Sequence, residues 1–466
     1  MQSQVKIICC LAFIVMQLFS GMIYANNETN NENSANQVHE SKSVSELNWQ
    51  TLNSKTMEIG PYTSGQGEVL TSPIPFFREL GTYFWSWDPK VGLKQAKATY
   101  HNSEEKLKKE TESIYLEPMS PLNEIMRNLF VQFDLSDTSH FRKVWFRITP
   151  FVQFRGLFAV HDFTKKRPLI ILRMGIHGNV DEVMAERFLM RLLYEELDAN
   201  VLVLESSTSS GFLSKNKDVS FGGIDEGLQT FLVINELKKT GMMDIVQSFH
   251  LVGLSLGGHG TFVTALLDQH NGQNISSIVN LCPLINLQQT FTYQTLPGWK
   301  NAFADFWNAG RLQVLLSSYA AEHSVQQRWK TLLDFKPRFT VALLDLLNRE
   351  RKRPLIPTTE MERLIPSLKW PEGLREHLEQ SNSFFELNDF WQHYQGVKTP
   401  MMIYTTPNDE LVINTLNGEL IFNGIQEGDF SHLKYTRLER SIHCGLASVY
   451  HWDYIAKLLK DGLYLH

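Results

Sequence analysis

Apolar and polar positions change rhythm near residue 143. From there, short runs of large apolar residues recur, separated by amphipathic stretches. Residues 144–148 and 156–160 read as paired strands. Residues 168–172, Pro-Leu-Ile-Ile-Leu, form a continuously apolar run, as in a strand buried on both faces. Residues 181–197 read as a helix, 200–204 as a second buried strand, and 224–239 as a helix ended by Gly241. A strand at 249–253, a helical stretch at 262–270 and a strand at 278–281 follow. The strands alternate with helices and lack the polar alternation of a one-sided sheet. The pattern predicts an α/β fold: a mostly parallel sheet flanked by helices, with right-handed crossovers.

The alternation stops after Cys282. Helical segments are expected at 307–317, 324–333, 339–348 and 374–380. Strands resume at 401–405 and 435–438, and residues 446–463 read as a closing helix. The sheet domain is therefore divided, 143–282 and 400–466, by a helical cap inserted at 283–399. Residues 48–142 form an N-terminal extension packed on the core. It contains the aromatic runs Pro75-Phe76-Phe77 and Phe84-Trp85-Ser86-Trp87 and a charged, helical stretch at 103–113. Residues 26–47, rich in Asn, Glu and Ser, read as a disordered linker. Residues 1–25 carry the marks of a signal peptide: Lys6, an apolar run at 7–19 and the small Ala25. The protein is expected to be exported, periplasmic or secreted, with membrane association if the signal stays uncleaved.

Composition narrows the function classes. The 466-residue chain is 43% hydrophobic and 20% charged, enough for a substantial core. Its net charge is −6, no Lys/Arg-rich run stands out, and the short Lys165-Lys166-Arg167 reads as a solvated turn. No nucleic-acid partner is expected. Beyond the signal only Cys282 and Cys444 remain, which is no disulfide framework. They read as free thiols, with a single bridge between them as the alternative.

The densest chemical signal is Gly253-Leu254-Ser255-Leu256-Gly257. An apolar strand runs into it and a helical stretch leaves it. This is the context of a G-x-S-x-G nucleophile elbow, where a strained turn lifts Ser255 Oγ beyond the sheet and Gly253 and Gly257 leave room around it. A serine hydroxyl needs a base, and the base needs a carboxylate to orient it. With the order Ser, acid, His, the acid falls on the loop after the strand ending at Thr405. Asp409 is the candidate and Glu410 the fallback. His443, 34 positions further on, precedes the closing helix. His451 and His466 are rivals, and His259 either points away from the site or lines it. An oxyanion needs two fixed donors. One is the Leu256 N–H. The other would come from the loop after the third strand, where His177-Gly178 resembles a hydrolase oxyanion loop and the Asn179 N–H would be the donor.

On these residues (His177-Gly178-Asn179, Gly253 to Gly257, Asp409 and His443) the chain resembles the α/β-hydrolase superfamily over about 70% of its length. The resemblance implies an α/β-hydrolase fold and a serine hydrolase acting through an acyl-enzyme. The expected substrate is a small-molecule or lipid carboxylic ester or thioester, with no cofactor and no metal. A peptidase or acyltransferase would use the same triad, and a non-catalytic hydrolase-like binding protein is the remaining alternative. The loop lacks the H-G-G-G run of many lipases, and the cap and extension match no subfamily.

Overall fold

The computed structural model describes residues 49–61, 113–115, 140–176, 178, 180, 184–216, 220–294, 347–348, 351–407, 409, 411–428, 430, 432–439, 443–444 and 452–464. All of them belong to one compact unit, Ser45–His466. The strands are β1 (Met57–Pro61), β2 (Ser113–Tyr115), β3 (Phe141–Arg147), β4 (Gln153–Ala159), β5 (Arg167–Arg173), β6 (Asn200–Leu204), β7 (Val246–Leu254), β8 (Ile275–Leu281), β9 (Met401–Thr405) and β10 (Leu433–Glu439). The helices are α1 (Met184–Glu196), α2 (Ser210–Asn216), α3 (Gly223–Leu237), α4 (Leu256–His270), α5 (Leu287–Gln294), α6 (Thr358–Leu364), α7 (Leu374–Gln380), α8 (Phe384–Leu387), α9 (Trp391–Tyr394), α10 (Gly418–Glu427) and α11 (Trp452–Gly462).

The strands form one sheet in the order β1-β3-β4-β6-β5-β7-β8-β9-β10-β2. From β6 to β2 every pairing is parallel. The β1-β3-β4-β6 end is antiparallel, with Val144 opposite Gly156 and Phe158 opposite Leu202. The predicted strands and helices of the core are all present, with ends shifted by a few residues. The helices expected at 307–317, 324–333 and 339–348 lie almost wholly outside the described residues, whereas 374–380 is α7. The closing helix starts at Trp452 among the described residues. Of the stretch read as helical at 103–113, only Ser113 is described, and it opens β2.

Alternation of side chains across the strands divides the core in two. Leu169 and Ile171 of β5 and Leu202 and Leu204 of β6 face α3 and α4, packing with Leu228, Phe231 and Phe262. Their neighbours Ile170, Leu172, Val201 and Val203 face the other side, with Leu189 and Leu193 of α1 and Leu459 of α11. A strand buried on both faces cannot alternate apolar and polar residues, which is why the sequence shows continuous apolar runs. Trp49, Leu52 and Met57 join the first of these cores. So do Met361, Leu374, Leu378, Phe390 and Tyr394 from the region between β8 and β9, whose described elements are all helical. No helix among the described residues is long and apolar enough to cross a membrane.

The chain goes from β5 outward to β6, then returns across β5 to form β7 on its other side. That reversal opens a crevice at the carboxyl ends of β5 and β7, the place where open α/β sheets bind ligands.

Candidate active site

Ser255 stands at this reversal, between the last residue of β7 and the first of α4. Its backbone has φ 54° and ψ −117°, a conformation that L-residues rarely adopt. The turn is locked from both sides: Ser255 N–H donates to the Leu281 carbonyl at 2.9 Å, and the Ser255 carbonyl accepts from Leu284 N–H at 3.0 Å. The flanking glycines are required by space. A Cβ on Gly257 would lie 2.2 Å from the Arg173 carbonyl oxygen and 2.6 Å from that of Met174. One on Gly253 would lie 2.6 Å from the Gly258 Cα. These contacts draw α4 down onto the end of β5.

The loop after β5 closes on the serine from the other side. A Cβ on Gly175 would lie 3.0 Å from Ser255 Cβ and 3.6 Å from its Oγ. The loop turns through a hydrogen bond from Gly178 N–H to the Gly175 carbonyl at 3.0 Å. It is tied to the end of β6 by Ser206 N–H on the Gly178 carbonyl at 2.8 Å. His177 and Asn179 lie outside the described residues. Leu256 is buried in the first turn of α4, where a backbone N–H has no intrahelical acceptor and the helix dipole favours negative charge.

Behind this loop runs a buried polar network that the sequence analysis missed. Arg173, the last residue of β5, donates through Nε to Glu226 Oε2 at 3.2 Å and through Nη2 to Gln229 Oε1 at 2.7 Å. Glu226 Oε1 accepts from Ser206 Oγ at 2.7 Å and Ser207 N–H at 3.1 Å. The network joins the ends of β5 and β6 to α3, and so sets where the Gly175–Gly178 turn can lie. Its only sequence signal is charged and amide residues within an apolar helix.

Asp409 and His443 come together two and three strands away, on the loops after β9 and β10. His443 Nδ1 is 2.8 Å from Asp409 Oδ2 and 2.9 Å from Oδ1. Asp409 is buried, and its Oδ1 also accepts from Leu411 N–H at 2.9 Å and Val412 N–H at 2.7 Å. The carboxylate is thus held by its own loop while it faces the imidazole. Among the described residues no hydrogen bond joins Ser255 Oγ to His443; Nε2 of the ring lies 3.2 Å from Cys444 Sγ. Glu410, His451 and His466 lie outside the described residues. His259 points away from the site, into a buried aromatic setting with Phe390 and Tyr394.

Two cysteines complete the surroundings. Cys282 follows β8 and Cys444 follows His443. Both are buried free thiols with positive φ, 44° and 54°. Cys444 N–H donates to Cys282 Sγ at 3.1 Å. Burial holds both thiols above the usual range, Cys444 well above it.

Neither a family model nor a curated protein matches the chain. Solved structures do. A serine hydrolase from the polyaromatic-hydrocarbon-degrading bacterium Cycloclasticus zankles is 12% identical, covering 70% of this chain and 99% of its own, with a TM-score of 0.38. An esterase from Pyrococcus furiosus is 13% identical, covering 76% and 97%, with a TM-score of 0.38. A lipase-esterase related protein from Clostridium acetobutylicum is 12% identical, covering 66% and 98%, with a TM-score of 0.35. The fold is an α/β-hydrolase fold. Its own strand order and the strained serine between β7 and α4 carry that statement.

Proposed function

We propose that the chain is a serine hydrolase that cleaves a carboxylic ester or thioester through an acyl-enzyme. One observation carries the reading most. The only serine in a strained strand-to-helix turn among the described residues lies at the sheet reversal, and an assembled Asp409–His443 pair follows β9 and β10, two and three strands along the same sheet. In this scheme Ser255 Oγ attacks the acyl carbon and His443 Nε2 takes its proton. Asp409 accepts the Nδ1–H and stabilises the imidazolium. The Leu256 and Asn179 N–H groups receive the oxyanion. His443 passes its proton to the departing alcohol or thiol, and water then releases the acyl group by the same steps in reverse roles. The scheme requires a Ser255–His443 hydrogen bond in the complex with substrate. No step requires a cofactor. The substrate is a small-molecule or lipid acyl compound, met outside the cytoplasm after export through residues 1–25.

A fluorophosphonate probe tests this on the full chain beside Ser255→Ala and His443→Ala. Stoichiometric labelling of the wild type that both variants lose supports the assignment. Labelling that persists in Ser255→Ala overturns it. A folded wild type that resists the probe favours a non-catalytic binding protein, the reading on which the open Ser255–His443 gap is permanent.

A further inference from the structure

We propose that Cys282, Cys444 and Asp409 form a binding site for a thiophilic divalent cation of the zinc or cadmium type, and that occupation of this site switches off the centre at Ser255. The two sulfurs and a carboxylate oxygen all lie within 4.8 Å of one another, and all three residues are buried. They follow adjacent strands or their loops: Cys282 after β8, Asp409 after β9, Cys444 after β10. The parallel sheet therefore fixes their spacing. A tetrahedral zinc with sulfur ligands at about 2.3 Å sets its donors roughly 3.8 Å apart. The three groups need to close by no more than about 1 Å to meet that geometry.

His443 borders two members of the cluster and would complete the set as a fourth donor when the ion draws the groups together. Its Nε2 and Nδ1 lie 3.2 and 3.6 Å from Cys444 Sγ, and Nδ1 is 2.8 Å from Asp409 Oδ2. Two thiolates, one carboxylate and one imidazole form a set that favours zinc or cadmium over magnesium or calcium. Binding moves no electrons. Each thiol releases its proton to solvent as its sulfur takes the ion, and the cation's charge makes deprotonation favourable in a buried place.

The consequence for the hydrolase site follows from shared groups. Asp409 Oδ1 stays bonded to Leu411 and Val412 N–H, while Oδ2 turns from His443 to the ion. A coordinated imidazole nitrogen cannot accept the Ser255 proton, so the nucleophile loses its base. The binding stands on the cluster alone; the inhibition rests on the reading given under Proposed function.

The test uses the full chain in a Cys9→Ser, Cys10→Ser background, kept reduced and titrated with cadmium chloride. Two signals are followed: the ultraviolet charge-transfer band of cadmium thiolate, and the rate of fluorophosphonate labelling. One equivalent of cadmium should raise the band and slow labelling more than tenfold, and a chelator should reverse both. Cys282→Ser and, separately, Cys444→Ser should lose the band and keep labelling in cadmium, with folding of each checked by circular dichroism. No band in the parent protein, or an undiminished band in both variants, overturns the site. A band without slowed labelling overturns the switch. A parent that binds cadmium yet never labels, even without metal, leaves the site standing and counts against the hydrolase reading instead.

Discussion

His443 Nδ1 meets both oxygens of Asp409, at 2.8 and 2.9 Å, while one of those oxygens is also held by two backbone N–H groups of its own loop. The carboxylate is thus fixed before it orients the histidine. Asp409→Asn preserves shape and can still accept from Leu411 and Val412. It cannot stabilise an imidazolium, and its amide N–H favours the wrong imidazole tautomer. Probe labelling should slow by about three to four orders of magnitude, with little change in melting temperature. A fall of less than about tenfold would remove Asp409 from the role.

Gly257 is forced by packing at a single point. An added Cβ meets two backbone carbonyls of the β5 end, at 2.2 and 2.6 Å, and backbone there has no room to retreat. Gly257→Ala should cost about 1–3 kcal/mol as an overpacking change and should displace α4 from Ser255, so labelling falls with stability. Gly241→Ala is the control: its nearest neighbours are 3.7 Å away and its φ is not positive. Denaturant midpoints of the two variants check the contrast, and equal midpoints would show that the elbow tolerates a side chain.

The elbow and Asp409 were legible because each lies at a strand end that an apolar run announces, and His443 because it precedes the closing helix. The edge strands were not. Met57–Pro61 holds a glycine and a proline, residues tolerated at a sheet edge but poor strand signals. Ser113–Tyr115 spans three residues, too few for any period. The cysteine cluster was half visible: Cys282 follows a predicted strand and Cys444 adjoins His443 in the sequence, but their approach to Asp409 depends on which strands are neighbours. Periodicity reports which face of a strand is buried and says nothing of lateral order. The network around Arg173 and Glu226 was hidden for the same reason, since its partners lie 53 residues apart in the chain.

A second buried ion pair gives a stability prediction. Arg155 Nη2 and Nε reach Glu205 Oε2 at 2.9 and 3.1 Å, Arg155 N–H reaches Oε1 at 2.7 Å, and Ser209 Oγ donates to Oε2 at 2.8 Å. Both side chains are almost wholly removed from water, at 2% and 0% exposure. Glu205→Gln leaves a buried guanidinium facing an amide and should cost about 3–5 kcal/mol. Glu58→Gln, in the exposed Arg147–Glu58 pair, should change stability by less than about 1 kcal/mol. Urea unfolding of both variants decides whether burial sets the difference.

The last prediction concerns pH. His259 is fully buried, and among the described residues neither ring nitrogen has a hydrogen-bond partner. Burial, aided by the nearby His377, lowers its pKa from 6.5 to about 3. The unfolded chain takes up this proton near 6.5, while the native chain refuses it down to about 3. Between those values the unfolded state binds more protons, so stability rises with pH. The contribution is complete above the unfolded value and is lost as pH falls from about 6.5 toward 3. The slope from this one group approaches about 1.4 kcal/mol per pH unit. His259→Leu should remove that slope while the ring's place stays filled. His250, lowered to about 4 by its own burial, keeps a second slope in both proteins. The unfolding free energy of wild type minus that of the variant should therefore fall steadily from pH 7 through 6 and 5 to 4. Parallel curves would mean that native His259 accepts its proton near the ordinary value, and that the pocket formed by Gly223, Phe390 and Tyr394 admits water.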